Sequence, residues 1–206
     1  MSRKRYAIIG LTGPTGAGKS SVGEILSELG CAVIDADKLA REAVKKGTLC
    51  LKQLRLAFGD EILDENGELN RKELAKRAFS SRENTSLLNS ITHPNIIMLT
   101  MVKIKELVNG GFDTVVFDAP TLFESNCDVM CDFIITVTAH SDIRLNRIMR
   151  RDGITKEQAQ SRMKSQKSDE FFESNSDYVV YNDGDLDAAK KRLKEIVNEI
   201  KLKAYI

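Results

Sequence analysis

The sequence predicts an α/β fold, a five-stranded parallel sheet flanked by helices. Three observations predict it. Five short segments are rich in β-branched residues: Tyr6–Leu11, Cys31–Ile34, Thr114–Phe117, Phe133–Thr138 and Tyr178–Tyr181. Each is a near-continuous apolar run, the pattern of a strand covered on both faces, whereas a half-solvated strand alternates. Amphipathic helical patterns lie between them, and strands alternating with helices make a parallel, doubly wound sheet. A glycine-rich turn, Gly13–Ser20, joins the first strand to the first helix.

The elements follow in order. After Lys19, Val22, Ile25, Leu26 and Leu29 recur at helical spacing, and Gly30 closes that helix. Between the second and third strands lie roughly eighty residues, too long and too apolar for a loop. They read as helices at Lys38–Lys46, Leu49–Phe58, Arg71–Phe79 and Arg82–Val108, a helical insertion. Asn70 with Glu73 resembles a capping box, and Pro94 is expected to break the longest helix at Thr92–His93. A second insertion, Ser141–Phe172, is charged and helical, with Thr155 and Gln158 as a capping box at its centre. The last helix carries Leu186, Ala189, Leu193, Ile196, Val197 and Ile200 on one stripe.

Composition narrows the class. The 206 residues hold 31 Lys+Arg against 30 Asp+Glu, a net charge of +1, so no strong field draws nucleic acid or anionic lipid. No apolar run reaches the ~20 residues of a membrane-spanning helix. The basic start MSRKR is not followed by an h-region or cleavage site, so a cytoplasmic protein is expected. Cys31, Cys50, Cys127 and Cys131 form no CxxC pair, which favours reduced thiols over zinc or disulfides.

Residues Gly13-Pro-Thr-Gly-Ala-Gly-Lys-Ser20 match G-x-x-x-x-G-K-[ST], with a strand before and a helix after. Glycines bring backbone N–H groups close to phosphate oxygens, and the helix N-terminus adds its dipole. In that chemistry Lys19 places a charge on the β- and γ-phosphates and the Ser20 hydroxyl ligates Mg²⁺. Pro14 removes one donor from the loop. A guanine-reading N-K-x-D is absent, and the third strand ends Phe117-Asp-Ala-Pro with a single carboxylate. These absences favour a small-molecule kinase over a GTPase or motor.

The second strand ends Ile34-Asp-Ala-Asp37. The carboxyl ends of parallel strands converge on one crevice. Asp35 or Asp37 there accepts a proton from an attacking hydroxyl, holds a Mg²⁺-bound water, or caps the helix near Lys38. Asp118 ends another strand at the same edge, with a Mg²⁺ water or simple turn chemistry as its roles. Arg144, Arg147 and Arg150 recur at i, i+3, i+6, and Arg162 and Lys164 follow. As a set beside a phosphate cradle they suggest a mobile lid that stabilises the transferring phosphoryl and excludes water.

Taken in order, these motifs resemble the dephospho-CoA kinase family of P-loop kinases, from Ile8 to about Leu193. They are the P-loop Gly13–Ser20, D-A-D at Asp35–Asp37, L-N-x-x-x-H-P at Leu88–Pro94, and D-x-P-x-L-F-E at Asp118–Glu124. Then come Arg144, Arg147 and Arg150–Asp152, R-M-x-x-Q at Arg162–Gln166, and Asn182-Asp-Gly. The resemblance implies three parts: a nucleotide-binding core (1–48 with 109–140 and 173–206), a helical substrate insertion (49–108) and a lid (141–172). It implies ATP as phosphoryl donor with Mg²⁺ and dephospho-CoA as acceptor at its ribose 3′-hydroxyl. Asp37 becomes the candidate base, with Lys19 and Arg147 beside it in catalysis. Gly13, Thr15, Gly16, Ala17, Gly18, Lys19, Ser20, Ser21, Arg147, Arg150 and Asn182 are expected on ATP, Asn182 near the adenine. Asp37, His93, Asp118, Leu122, Phe123, Glu124 and Arg162 are expected on the acceptor. Ser20 holds the metal, with Asp37 or Asp118 through water. Pro14, where the family more often has Gly, and Thr121, where it has an apolar residue, depart from the pattern.

Two other readings stand beside this one. One is a nucleoside or nucleotide kinase of the same fold with another acceptor. The other is a nucleotide-gated binding protein, against which near-zero net charge and few aromatics weigh if its partner is nucleic acid. A monomer or weak oligomer is expected.

Overall fold

The computed structural model describes residues 6–204, so the MSRKR start lies outside the described residues. The chain divides into two compact units. One holds the residues up to Ile34 and from Glu106 onward; the other is Asp35–Lys105.

The first unit is built on a five-stranded parallel sheet of order β2-β3-β1-β4-β5. The strands are β1 (Ala7–Thr12), β2 (Ala32–Asp35), β3 (Thr114–Asp118), β4 (Phe133–Thr138) and β5 (Tyr178–Tyr181). All six residues of the central strand β1 are buried. A strand covered on both faces has no polar side, which is why Tyr6–Leu11 reads as a run. Helix α1 (Lys19–Glu28) and the C-terminal helix, Leu186–Ala204, bury their stripes in the main core. Ile9, Leu11, Val22, Leu26, Ile135, Val137, Leu193, Ile196 and Ile200 meet there. Each such side chain contributes about 1.5–3 kcal/mol of burial. Leu186, expected on that stripe, is instead exposed, because it stands in the first turn of its helix.

The second unit is helical. It comprises α2 (Ala36–Ala43), α3 (Leu49–Phe58), α4 (Arg71–Ala78) and most of α5 (Arg82–Asn109). Its own core contains Val44, Cys50, Leu54, Phe58, Ile62, Leu74 and Ala78. Thr48 caps α3 by accepting the Leu51 N–H, and Asn70 caps α4 by accepting the Glu73 N–H at 3.2 Å. The expected reciprocal bond to Glu73 does not form, because the Asn70 N–H donates to Ile62 O at 2.8 Å and the Glu73 carboxylate instead accepts Arg77 Nε at 2.8 Å.

Pro94 does not break α5, which runs uninterrupted from Arg82 to Asn109. The ring removes the N–H that would bond Ser90. Neighbouring carbonyls gain side-chain donors, Thr92 Oγ1 to Leu88 O at 2.9 Å and Asn95 Nδ2 to Ile91 O at 2.8 Å. Neither bond reaches Ser90 O; Ser90 is exposed, so water can take the place of the lost donor.

The charged insertion of the first unit forms α6 (Ser141–Asp152), α7 (Lys156–Lys164) and α8 (Asp169–Ser174). The Thr155–Gln158 capping box that starts α7 is complete, with both reciprocal bonds present. Arg144, at 5 % exposure, reaches Asp169 at 2.7 Å and ties α6 to α8. Asp152 accepts Arg151 and Arg162 together and ties α7 to α6. The C-terminal helix is named α9 below. Two outcomes test this packing. Asp169→Ala leaves the Arg144 guanidinium buried without its carboxylate and should lower stability by about 2 kcal/mol in urea unfolding. Burial pushes the Cys31 thiol up to about 11 and raises Cys50 and Cys127. Iodoacetamide at pH 8 should therefore label these three slowly in the native protein and rapidly in denaturant.

Candidate active site

The cradle is the turn from Gly13 to Gly18, between the end of β1 and the start of α1. Two glycines show why the sequence is so restricted here. Gly13 has φ +146°, and a Cβ on it would stand 2.0 Å from Val137 O. Gly18 caps α1 in the left-handed region at φ 84°, and its Cβ would meet Asn182 Nδ2 at 2.2 Å. No L side chain fits either place.

The loop is held from outside by its carbonyls. Arg147 Nη1 donates to Gly16 O at 3.4 Å and to Ala17 O at 3.2 Å. Asn182 Nδ2 donates to Ala17 O at 2.9 Å and Gly18 O at 3.3 Å. A peptide plane whose oxygen is fixed on one side turns its N–H to the other. These two residues therefore aim the N–H groups of Gly18 and Lys19 away from themselves, while the Ala17 N–H donates within the loop to Pro14 O at 3.2 Å. Asn182 is 2 % exposed, its own N–H bonds Thr138 O, and its Oδ1 has no partner among the described residues. The start of α1 has no side-chain cap, so its first N–H groups are not satisfied by a side chain.

Lys19 forms an ion pair with Asp118 at the end of β3. Strand order explains the pairing, since β3 is the neighbour of β1 with Leu11 opposite Asp118. Strand β2 is the edge strand, separated from β1 by β3. An ammonium has three donors, so one carboxylate leaves two for other oxygens. Ser20 is exposed in the first turn of α1.

The remaining sequence candidates fall in several places. Thr15 and Ser21 belong to the same turn and helix start, both half-buried. Arg150 is exposed on α6, and Arg162 is engaged by Asp152. After β3, Leu122 is fully buried, Phe123 stacks edge-on against Phe171 at 5.3 Å, and Glu124 is exposed. Asp37 and His93 belong to the second unit. There Asp35 takes the cap of α2, accepting the Lys38 N–H at 3.0 Å. Asp37 is exposed in the first turn of the helix, with no partner among the described residues. His93 is half-buried on α5.

One residue without a role in the sequence reading joins the cradle. Gln166 Oε1 accepts the Thr15 N–H at 2.8 Å. The only sequence signal for it is its place at the end of R-M-x-x-Q. Asp169, the partner of Arg144, carries no sequence signal at all.

A metal fits the donor set here only in part through protein. Hard hydroxyl and carboxylate oxygens suit Mg²⁺, which takes one or two protein ligands and completes its shell with phosphate oxygens and water. The Ser20 hydroxyl is such a donor, and among the described residues no group of three His, Cys, Asp or Glu forms a self-sufficient cage.

A family profile for dephospho-CoA kinase matches residues 7–188. A dephospho-CoA kinase from Carboxydothermus hydrogenoformans is 38 % identical over 198 residues, 96 % of each chain. Among solved structures, TT1252 from Thermus thermophilus superposes with a TM-score of 0.77 at 31 % identity, covering 95 % of this chain and 98 % of that one. Dephospho-CoA kinase from Campylobacter jejuni superposes with a TM-score of 0.70 at 25 % identity, with the same coverage. With the strand–cradle–helix unit, the single acidic strand end and the arginine-bearing insertion in place, the chain belongs to the dephospho-CoA kinase family.

Proposed function

We propose that this chain transfers the γ-phosphoryl group of ATP to the ribose 3′-hydroxyl of dephospho-CoA, giving coenzyme A and ADP. The observation that carries it is the cradle, a loop whose carbonyls are pinned by Arg147 and Asn182 and whose lysine is set by Asp118. Phosphoryl transfer asks a protein mainly for positioning and charge, and such a loop supplies both.

The division of labour follows from the residues. Backbone N–H groups of the loop and the α1 start bind the phosphate chain. Lys19 lends positive charge to the bridging and terminal oxygens. Ser20, with Asp37 or Asp118 through water, would hold Mg²⁺, which neutralises phosphate charge when bound. Asp37 is the base that accepts the proton of the attacking hydroxyl. Its neighbour Asp35 is occupied by capping, so the two carboxylates have separate duties. His93, Phe123 and Glu124 serve the acceptor, and Arg150 and Arg162 belong to the closing segment. The core, the insertion 49–108 and the lid 141–172 are the parts that bind ATP, bind the acceptor and exclude water. The enzyme acts in the cytoplasm as a monomer or weak oligomer.

ADP release with Mg·ATP, measured with and without dephospho-CoA and with AMP and uridine as rivals, tests the reaction. Stimulation by dephospho-CoA alone, with a product of coenzyme A mass, is the expected result; turnover with a rival acceptor instead would keep the kinase and discard this substrate. Lys19→Ala should lower kcat/KM by about 10²–10³-fold. Asp37→Asn should lower kcat by about 10²–10⁴-fold with ATP affinity retained, and near-normal kcat would remove Asp37 from the base role. Asn182→Ala frees two loop carbonyls and should weaken ATP binding about tenfold in calorimetric titration.

A further inference from the structure

The donors of the cradle can be accounted for one by one. Pro14 has no N–H. The Thr15 N–H is taken by Gln166. The Ala17 N–H closes on Pro14 O at 3.2 Å. Pro14, Thr15 and Ala17 therefore offer no free backbone donor, whereas the start of α1 is uncapped by any side chain. A phosphate group on the Pro14–Thr15 side of the loop meets fewer backbone donors than one on the helix start, and depends more on side chains such as Lys19.

Gln166 stands at Thr15, beside the Pro14 position that has no donor. A backbone N–H can be accepted only by the carboxamide oxygen, so the bond from Thr15 fixes which way the amide points. Oε1 is on the loop, and Nε2 carries two N–H donors with no partner among the described residues. The residue is exposed, and its own N–H bonds Met163 O at 3.4 Å in the turn that ends α7. It follows α7, whose start is locked by a full capping box, and precedes α8, capped by Ser168 and tied to α6 through Arg144.

We propose that Gln166 binds the terminal phosphoryl group of the nucleotide, its oxygen seated on the Thr15 N–H and its Nε2 donating to a γ-phosphate oxygen. The carboxamide replaces the donor that Pro14 removes from the loop. The segment is already seated on the loop through Thr15, and the Nε2 contact adds a bond that only a nucleotide with a third phosphate can make, so the site binds ATP more tightly than ADP. This rests on the reading of the loop as an ATP site.

Titration calorimetry with ADP and with a non-hydrolysable ATP analogue, on wild type, Gln166→Ala and Gln166→Glu, tests it. Wild type should bind both. Gln166→Ala should lose about tenfold for the analogue and stay within about twofold for ADP, the loss expected for one hydrogen bond to a charged oxygen. Gln166→Glu keeps an acceptor for Thr15 but exchanges the donors for a negative charge, and its analogue-selective loss should be larger. Thermal melting unchanged in both variants shows that they fold. Equal loss for the two nucleotides would mean that Gln166 only shapes the loop, and tighter binding by Gln166→Ala would mean that it competes with phosphate; either overturns the proposal. Wild type that binds neither nucleotide would overturn the ATP-site reading, and this proposal with it.

Discussion

The constraint on which the first unit depends is that the Gly13–Gly18 turn has two faces and only one is free for a ligand. Its outer carbonyls must be satisfied by protein, or its inner N–H groups have no fixed direction. Arg147 from α6 and Asn182 after β5 meet that need from two elements far apart in sequence. The cradle is thus a product of the whole unit, although its motif is eight residues long.

The sheet order serves the same end. With β1 in the centre and buried throughout, its C-terminal end is flanked by β3 and β4. The former contributes Asp118 to Lys19, and the latter contributes the Val137 carbonyl against which only glycine fits at position 13. Packing density thereby becomes chemical geometry: a strand shifted by one residue would turn the lysine's partner to the other face.

The helices α6 to α8 show charge used for structure as well as chemistry. Of the arginines spaced along α6, Arg144 is spent on Asp169 inside the fold, Arg147 on the loop, and Arg150 remains exposed. The aromatic contact of Phe123 with Phe171 joins the turn after β3 to α8. Changes in that segment are thereby linked to both the loop and the strand end that carries Asp118.

Much of this was legible in the residues alone. The five apolar runs, the helix stripes, the Thr155–Gln158 box and the glycine turn follow from local periodicity and local hydrogen bonding, which sequence carries directly. The unbroken α5 was not legible, because whether the carbonyl orphaned by Pro94 faces water, as at the exposed Ser90, depends on how the helix packs. Nor was the half-formed box at Asn70, whose N–H goes to Ile62 O while Glu73 pairs with Arg77. Roles that depend on neighbours distant in sequence needed the tertiary structure. It decided that Asp35 caps while Asp37 does not, that Arg144 is buried, and that Gln166 stands on Thr15, 151 residues away along the chain. The physical reason is that an apolar stripe or a glycine turn states its own requirement, whereas a polar side chain's role is set by whichever partner folding brings within about 3 Å of it.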